Sequence, residues 1–391
     1  MAADPVGAHP AEGGMRLRRA ASHYLPTLDG WRALAIGIVL LAHSAVSINA
    51  VWPVLPVPIL EHSGLFGVEI FFALSGFLIT TWLIREEQQY GRICLTAFYT
   101  RRVFRILPAA LALLLTVAIL SARGVFPVTL GRWLSSLLFV ANLSHATGNW
   151  YLGHFWSLAV EEHFYLLWPA IFLLLRHNRR RLAFTVASGL VLALWRAIDF
   201  KYHLTITNFD LWWGRTDINA DSITWGVSIA LIYADSQWRE KLLRFLGRAF
   251  VPVGLVATVI ACEWLPLPDW KLSMAALSVK AIAIPLLIVW TLTHTSAWPS
   301  RLLETAALRF VGLISYSLYL WQQLFCVETV SWVPGQHALQ SFPANLLCAF
   351  GCAVLSYLLI ERPFIAKGRL FTARIGRDRT ARRAGAVAQR A

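Results

Sequence analysis

The chain has 391 residues, of which 57% are hydrophobic and only 14% charged, and its mean hydropathy is +0.57. Apolar segments of bilayer-spanning length recur along it, which excludes a soluble domain and indicates a polytopic helical membrane protein. The net charge of +14 does not indicate nucleic acid binding, because the cationic residues lie between apolar segments and in the tail rather than on one patch. The five scattered cysteines have no metal or disulfide spacing, and no metal is expected.

The apolar segments predict an all-α fold of about ten transmembrane helices and one short re-entrant or interfacial helix. The short segment, 130–143, is followed by polar residues, and a further span remains the alternative. The ten predicted spans are 33–50, 66–84, 104–122, 155–175, 183–200, 220–235, 250–264, 275–294, 310–330 and 342–360.

The distribution of lysine and arginine favours ten transmembrane spans over eleven. If segment 130–143 does not span, 28 of the 35 Lys and Arg residues fall on one side of the membrane. The positive-inside rule then places that side, with both termini, in the cytoplasm. Residues 1–24 lack a cleavable signal sequence, so the first helix is expected to be a retained signal anchor. We predict a cytoplasmic segment at 1–27, a transmembrane domain at 28–364 and a basic cytoplasmic tail at 365–391.

The first helix carries two ionisable residues on one face. Arg32 and His43 are eleven residues apart, which leaves them roughly 20° apart around a helix and roughly 16 Å apart along it. Arg32 would lie at one membrane boundary and His43 near the middle of the hydrocarbon. A buried ionisable group in a membrane is a functional hypothesis by default, although a lone histidine is more often a packing residue.

The second helix contains GVEIFFALSGFLIT, residues 67–80. Glu69 is an acid near its outer end, and Ser75 and Gly76 are small residues near its middle. Small residues in membrane helices usually allow close helix packing, and that interpretation is favoured here. The functional alternative is that they let a slender ligand pass beside the helix.

A cluster of arginines opens the third helix in FYTRRVFRILP, residues 98–108. Arg102 and Arg105 are three residues apart and share a face, and Arg101 flanks them. They are either a positive-inside anchor or a phosphate clamp, because guanidinium groups match phosphate oxygens and a helix N-terminus attracts anions.

The segment HFWSLAVEEHFYLLWP, residues 154–169, is the most unusual in composition. Glu161, Glu162 and His163 interrupt a membrane helix, so they are expected to face a cavity or one another. Because successive residues differ by about 100°, Glu161 and Glu162 are not expected to face one point, and at least one is predicted to be structural.

Three further polar or aromatic segments follow. The loop 201–221 ends in Arg215, Asp217 and Asp221, which indicate either an ion-pair network or the rim of an acceptor site. Glu361 and Arg362 resemble a helix-end ion pair. The segment ISYSLYLWQ contributes aromatic residues that core packing explains: Tyr316, Tyr319 and Trp321.

Taken together, these segments resemble the membrane acyltransferase-3 family. The matching segments occur in the family's order between about residues 27 and 364: LDGWRALA with Arg-x10-His, GVEIFFALSGFLIT, FYTRRVFRILP, HFWSLAVEEHFYLLWP, GRTDINADSITWG, ISYSLYLWQ and IERPF. Two departures occur, EEHFY in place of EEQFY and LYLWQ in place of LYLWH. The second leaves the role of Gln322 open.

The resemblance implies a membrane O-acyltransferase with about ten spans, expected in a bacterial inner membrane. Such proteins move acyl groups, often acetyl, from cytoplasmic acyl-CoA to a hydroxyl of a glycan, lipid or secondary metabolite. Some relatives carry an extra esterase-like domain, which is not expected within these residues. The residues expected to bind acyl-CoA are Arg32, Arg101, Arg102, Arg105 and Ser75.

The expected chemistry centres on His43 as a general base, with an acyl-histidine intermediate as the alternative. One carboxylate would orient the imidazole, and the candidates are Glu69, Glu161 and Asp221. Two rival classes remain. A proton-coupled transporter would require paired broken helices in two halves, which the sequence does not suggest. A membrane scaffold gives no reason for buried ionisable residues.

Overall fold

The computed structural model describes residues 25–53, 57–143, 150–205, 214–265, 269–327 and 337–373. Regular structure within these ranges is entirely helical. The predicted N-terminal segment before residue 25 and the tail beyond residue 373 lie outside the described residues, so those boundaries stay predictions.

The helices are numbered here in chain order. They are α1 (Pro26–Val51), α2 (Val57–Tyr90), α3 (Leu95–Ala122), α4 (Leu130–Leu137), α5 (Phe155–Leu174), α6 (Asn178–Tyr202), α7 (Thr216–Ala234), α8 (Ser236–Leu246), α9 (Phe250–Trp264), α10 (Trp270–Thr293), α11 (Trp298–Leu303), α12 (Ala306–Trp321), α13 (His337–Gln340) and α14 (Ala344–Ser356). Helix α14 continues through a π turn at Tyr357–Glu361 into a helical segment that reaches residue 373.

Each of the ten predicted spans overlaps a helix of the described residues, which confirms the all-α polytopic fold. Within the described residues, seven helices are long and apolar enough to cross a bilayer, and α8 with α9 forms an eighth across an 80° bend. Helices α7 and α12 lie in predicted spans, but neither is among the helices that are long and apolar enough to cross a bilayer. Helix α12 has only 16 residues. The number ten therefore stays a prediction.

The short segment after α3 forms a helix that does not cross a membrane. Helix α4 has eight residues, about 12 Å in length, against the roughly 30 Å of a bilayer core. The buried Arg132 on α4 donates to the carbonyl oxygens of Leu152 and Gly153, just before α5. Helix α4 therefore packs beside the start of α5, as the re-entrant or interfacial interpretation requires.

Close backbone packing joins α2 to α7 and α1 to α12. A Cβ atom on Gly76 would lie 2.1 Å from the carbonyl oxygen of Ile223, and one on Gly226 2.4 Å from that of Ala73. On α12, a Cβ on Gly312 would lie 1.9 Å from the carbonyl oxygen of Asp29. Only glycine fits at these positions, so Gly76 serves helix packing, as the favoured interpretation predicted.

The start of α3, which carries the arginine cluster, is fixed by local hydrogen bonds. The backbone N–H of Cys94 donates to Glu86 at 2.9 Å, and the Cys94 thiol accepts from the N–H of Ala97 at 3.4 Å. The second bond satisfies one of the free N–H groups that every helix start exposes. The arginines on the first turns of α3 are thereby held against the end of α2.

Candidate active site

His43 projects from the second half of α1 and is held by two neighbours. Its Nδ1 lies 2.9 Å from Oε1 of Gln322, which begins the turn after α12. The indole of Trp150 meets the imidazole edge to face, with ring centroids 5.1 Å apart. Because an amide oxygen only accepts, Nδ1 carries the proton of a neutral ring and Nε2 keeps a free lone pair. The ring is thus oriented for Nε2 to accept a proton.

The partner of His43 is therefore an amide and not one of the three predicted carboxylates. Gln322 is the position where the sequence departs from its relatives, so the departure falls on the residue that orients the imidazole. Its Nε2 is buried without a hydrogen-bond partner within the described residues. The sequence singled out Gln322 only as a deviation, and nothing in its spacing connects it to His43, 279 residues earlier.

Glu69 is buried and has a lysine as its partner. Its carboxylate lies 2.9 Å from Nζ of Lys280 on α10, and the same ammonium contacts Glu263 on α9 at 2.5 Å. One buried lysine thus joins two carboxylates and ties α2 to α9 and α10. The structure gives Glu69 a structural partner where the sequence predicted an orienting acid.

Asp221 is also engaged in a buried ion pair. It lies 2.9 Å from Arg196 on α6, and both side chains are almost fully buried. Arg196 also donates to the carbonyl oxygen of Ile218 and to Ser278. This network joins α6, α7 and α10, so Asp221 too has a cation as its partner instead of His43.

Glu161 has a different environment. One carboxylate oxygen accepts from Ser75 at 2.9 Å and the other from Tyr165 at 3.0 Å. Ser75 and Tyr165 are also within 2.9 Å of each other. Glu161 and Tyr165 are four residues apart on α5, a spacing from which this pair was predictable. Glu161 is the one predicted carboxylate that faces a cavity together with predicted donor-binding residues.

That cavity, which we call the inner cavity, has a volume of about 100 Å³ and lies between α1, α2, α3, α5 and α12. It brings together four of the five predicted acyl-CoA residues: Arg32, Ser75, Arg102 and Arg105. Glu161 and Glu162 both line it without having to face one point, and the expectation that at least one of them is structural stays a prediction. A cavity bordered by several helices receives side chains that are 100° apart. His163 instead contacts Thr216 on α7 at 2.8 Å.

Arg101, the fifth predicted donor residue, lies outside the inner cavity. Its guanidinium stacks 4.0 Å above the ring of Trp82 and lies 3.6 Å from Glu86. Arg102 instead stacks 4.6 Å from the centre of the Tyr165 ring, and Arg32 pairs with Asp29 at 2.9 Å. Within the described residues neither Arg102 nor Arg105 forms a salt bridge. Two half-buried arginines therefore face the cavity without a carboxylate in ion-pair distance.

A wider cavity of about 880 Å³, the outer mouth, adjoins the inner cavity and shares Arg32 and Arg105 with it. Three further arginines line it: Arg85, Arg362 and Arg369. Asp29 and Glu361 are its acidic lining residues, so five cations face two anions. Glu361 accepts a hydrogen bond from Ser317 at 3.0 Å and forms no salt bridge with Arg362 in the described part of the chain, so the predicted helix-end pair was wrong. The mouth suits a polyanionic ligand.

Arg32 and Arg105 were predicted from the sequence, whereas Arg85, Arg362 and Arg369 could be found there only as members of basic linkers. They come from α1, α2, α3 and the extension of α14, and only the fold brings them to one opening. No group of three or more His, Cys, Asp or Glu side chains within the described ranges is arranged to hold a metal ion.

Comparison with known proteins assigns this arrangement to a class. The profile of the acyltransferase domain family matches residues 25–362, so the chain belongs to that family, and the resemblance drawn from the motifs is confirmed. The match includes His43, the lining of the inner cavity and the ion pairs described above, whereas the outer mouth extends beyond it to Arg369.

Curated relatives carry O-acetyltransferase names. The chain is 29% identical over 373 residues to O-acetyltransferase OatA of Staphylococcus aureus (strain NCTC 8325 / PS 47), covering 88% of this chain and 58% of that protein. It is 26% identical over 384 residues to peptidoglycan O-acetyltransferase OatA of Listeria monocytogenes serovar 1/2a, covering 90% of this chain and 58% of that protein. The chain thus spans less than two thirds of the length of these relatives. No solved structure matches it significantly.

Proposed function

We propose that the protein is a membrane O-acyltransferase that moves an acyl group, preferably acetyl, from cytoplasmic acyl-CoA to a hydroxyl of a cell-envelope glycan. The observation that carries this proposal is the pair of cavities joined at Arg32 and Arg105. They lead from a cationic mouth into the helix bundle alongside α1, the helix that holds His43. The family match favours this function over the transporter alternative, which predicted broken helices in pairs.

The outer mouth would hold the phosphorylated head of the donor. Its five arginines and two acids leave an excess of three positive charges, which complements the pyrophosphate and 3′-phosphate of coenzyme A. The thin pantetheine arm would then enter the inner cavity past Arg102 and Ser75. Glu161 would hold Ser75 and Tyr165 along this path, and we assign it to donor positioning.

The reaction needs a base for the acceptor hydroxyl. His43 Nε2 would take the proton as the acceptor oxygen bonds to the thioester carbonyl carbon. The carbon–sulfur bond then breaks, the thiolate leaves, and His43 returns the proton to the coenzyme A sulfur. Gln322 would keep the ring in the tautomer with the proton on Nδ1. The acyl-histidine route predicts instead a covalent acyl-enzyme when the acceptor is absent.

The acceptor class rests on the relatives. One of them is named a peptidoglycan O-acetyltransferase, and an aromatic face beside the base, here Trp150 against His43, suits a sugar ring. We therefore propose a glycan hydroxyl as the acceptor, met from the membrane face opposite the outer mouth.

The test combines a purified assay with chemical analysis of cells. Protein in lipid nanodiscs should transfer radiolabelled acetyl from acetyl-CoA to glycan fragments. When the gene is deleted, the envelope glycans should lose one acetyl unit, which mass spectrometry measures. Unchanged glycans, together with no acetyl-CoA turnover by the purified protein, would contradict the proposal. Trapping of labelled protein without acceptor would support the acyl-histidine route.

The orientation follows from the same assignment. The outer mouth would face the cytoplasm of a bacterial inner membrane, with both termini on that side. In a cysteine-free variant, Leu204→Cys after α6 should react with an impermeant thiol reagent in intact cells. Gln237→Cys at the start of α8 should react only after permeabilisation. Labelling of both positions from the same side would reject this orientation.

A further inference from the structure

Two hydroxyl groups at the end of the inner cavity have no role in the mechanism above. Tyr319 on α12 and Ser157 on α5 both line this cavity, and their hydroxyl oxygens lie 2.5 Å apart. The Ser157 hydroxyl also donates to the carbonyl oxygen of His154 at 3.0 Å. Both side chains are buried, Tyr319 at 6% and Ser157 at 4% exposure. They form a polar pair in an otherwise aromatic part of the cavity wall.

The position of this pair follows from α12. Tyr319 lies one turn before Gln322, the residue that contacts His43, and side chains on a helix lean towards its N-terminus. The neighbouring Gln323 accepts from the backbone N–H of His154, which joins the start of α5 to the same turn. The hydroxyl pair therefore lies between the arginines of the cavity and the imidazole of His43. A donor entering past Arg102 would present its thioester in this interval.

Attack on a thioester creates a charge that the site must stabilise. When the acceptor oxygen bonds to the carbonyl carbon, the carbonyl π electrons move to the carbonyl oxygen, which becomes an oxyanion. Under the proposed function the arginines of the mouth contact the donor phosphates, so the carbonyl oxygen needs a hydrogen-bond donor of its own. A preorganised hydrogen-bond donor beside the carbonyl is worth about 10²–10³ in rate.

We propose that the Tyr319 hydroxyl donates a hydrogen bond to the thioester oxygen and stabilises the oxyanion, while the Ser157 hydroxyl turns its proton from the carbonyl oxygen of His154 to the Tyr319 oxygen. This inference rests on the proposed function and adds a catalytic residue to it. When the oxyanion collapses, its electron pair reforms the carbonyl bond, the carbon–sulfur bond breaks, and the thiolate takes the proton from His43. Tyr319 keeps its proton throughout.

A tyrosine with a purely structural role is present on the same helix for comparison. Tyr316 also lines the inner cavity, but its hydroxyl donates to the backbone carbonyl oxygen of Ile106 at 2.8 Å. That acceptor fixes the Tyr316 proton on α3, away from the cavity space. Tyr319 differs because its nearest partner is the Ser157 hydroxyl, which can accept or donate, and the carbonyl oxygen of His154 accepts from Tyr319 only over 3.4 Å. A Ser157 proton turned onto the phenol oxygen would free the phenol proton for a ligand. Tyr316→Phe is therefore the matched control for Tyr319→Phe.

The direct test measures polarisation of the bound thioester without any acceptor. Acetyl-CoA carrying ¹³C at the carbonyl is bound to the nanodisc protein, and isotope-edited infrared difference spectra record the carbonyl stretch. The expected result is a shift to lower wavenumber on binding in the wild type and in Tyr316→Phe, and loss of that shift in Tyr319→Phe. A wild-type stretch equal to that in water, or a shift that Tyr319→Phe retains, overturns the inference.

Kinetics with an acceptor provide the second readout. Tyr319→Phe should lower kcat by about 10²–10³ with acetyl-CoA binding unchanged, and Ser157→Ala should lower it less. Replacing Tyr319 by a fluorotyrosine, a more acidic phenol, should preserve or raise kcat, whereas a packing role would not respond to acidity. A fluorotyrosine variant as slow as Tyr319→Phe overturns the inference. Absence of acetyl-CoA binding in the wild type would reject the proposed function itself.

Discussion

The helix bundle contains two kinds of charged side chain, those in buried ion pairs and those that face a cavity, and comparing them separates structural charges from charges available to a ligand. Glu69 with Lys280 and Asp221 with Arg196 form ion pairs at 2.9 Å, and none of these residues lines the inner cavity or the outer mouth. In contrast, Arg105 faces both cavities and forms no salt bridge within the described residues. In the sequence, both kinds look equally unusual.

The difference has a physical reason. Removing a charge from water costs several kcal/mol, and a fixed opposite charge with additional hydrogen bonds offsets that cost. Ion pairs of this kind join helices and leave no capacity for a ligand. An arginine that faces a cavity beyond ion-pair distance of any carboxylate keeps hydrogen-bond donors for an anion that enters. Under the proposed function, these cations are where a polyanionic donor would bind.

The largest effect of a substitution is expected at His43, which is neither part of an ion pair nor one of the arginines that face a cavity. His43→Gln retains a hydrogen-bonding side chain of similar size but cannot act as a base. Acyl transfer should fall by about 10²–10⁴, while acetyl-CoA affinity and thermal stability remain near the wild type. Turnover in nanodiscs and binding calorimetry measure the two quantities. Substantial activity in this variant would reduce His43 to a packing residue.

Breaking an ion pair should instead change stability. Lys280→Met leaves Glu69 and Glu263 buried without a cation, which should lower the free energy of unfolding by roughly 3–5 kcal/mol. Thermal unfolding in detergent measures the loss, and the specific activity of the protein that remains folded should be nearly unchanged.

The matched control for that prediction neutralises the whole cluster. Adding Glu69→Gln and Glu263→Gln to Lys280→Met should restore most of the stability, because no unpaired charge remains buried. If the triple variant were stable but inactive, Glu69 would return as a candidate catalytic carboxylate.

A smaller effect is expected at the cavity arginines. Arg105→Ala removes a charge-assisted contact to a donor phosphate and should weaken acetyl-CoA binding by roughly 1.5–3 kcal/mol. The affinity that remains should depend less on salt than in the wild type, because one fewer charge contributes.

Arg101→Ala is the comparison for Arg105→Ala. Arg101 is four residues from Arg105 on the same helix but is paired with Glu86 and stacked on Trp82. Its removal should leave donor affinity nearly unchanged. Equal losses in the two variants would contradict the distinction between paired and unpaired cations.

The smallest effect concerns Gln322. Gln322→Leu removes the hydrogen bond that orients His43, which is worth about 0.5–1.5 kcal/mol, so kcat should fall roughly 2- to 13-fold with donor affinity unchanged. Gln322→His, which restores the residue usual in relatives, should retain more activity than Gln322→Leu. A loss as large as that of His43→Gln would assign Gln322 a direct chemical role.

The sequence by itself determined the helical membrane fold, the positions of the helices and the non-spanning nature of α4. These depend on hydropathy, segment length and charge distribution, which are local properties that a linear chain displays. It also identified His43 and the arginine cluster of α3, since an ionisable residue in an apolar helix stands out wherever it lies.

Only the tertiary structure decided which partner each buried polar group has. Glu69, Glu161 and Asp221 are similar in sequence context, yet they meet a lysine, two hydroxyls and an arginine respectively. Gln322 reaches His43 across 279 residues. The rotation of each helix about its axis, set by close contacts such as Gly76 against Ile223, determines which side chains meet. That rotation depends on the packing of all neighbouring helices together, which no single segment encodes.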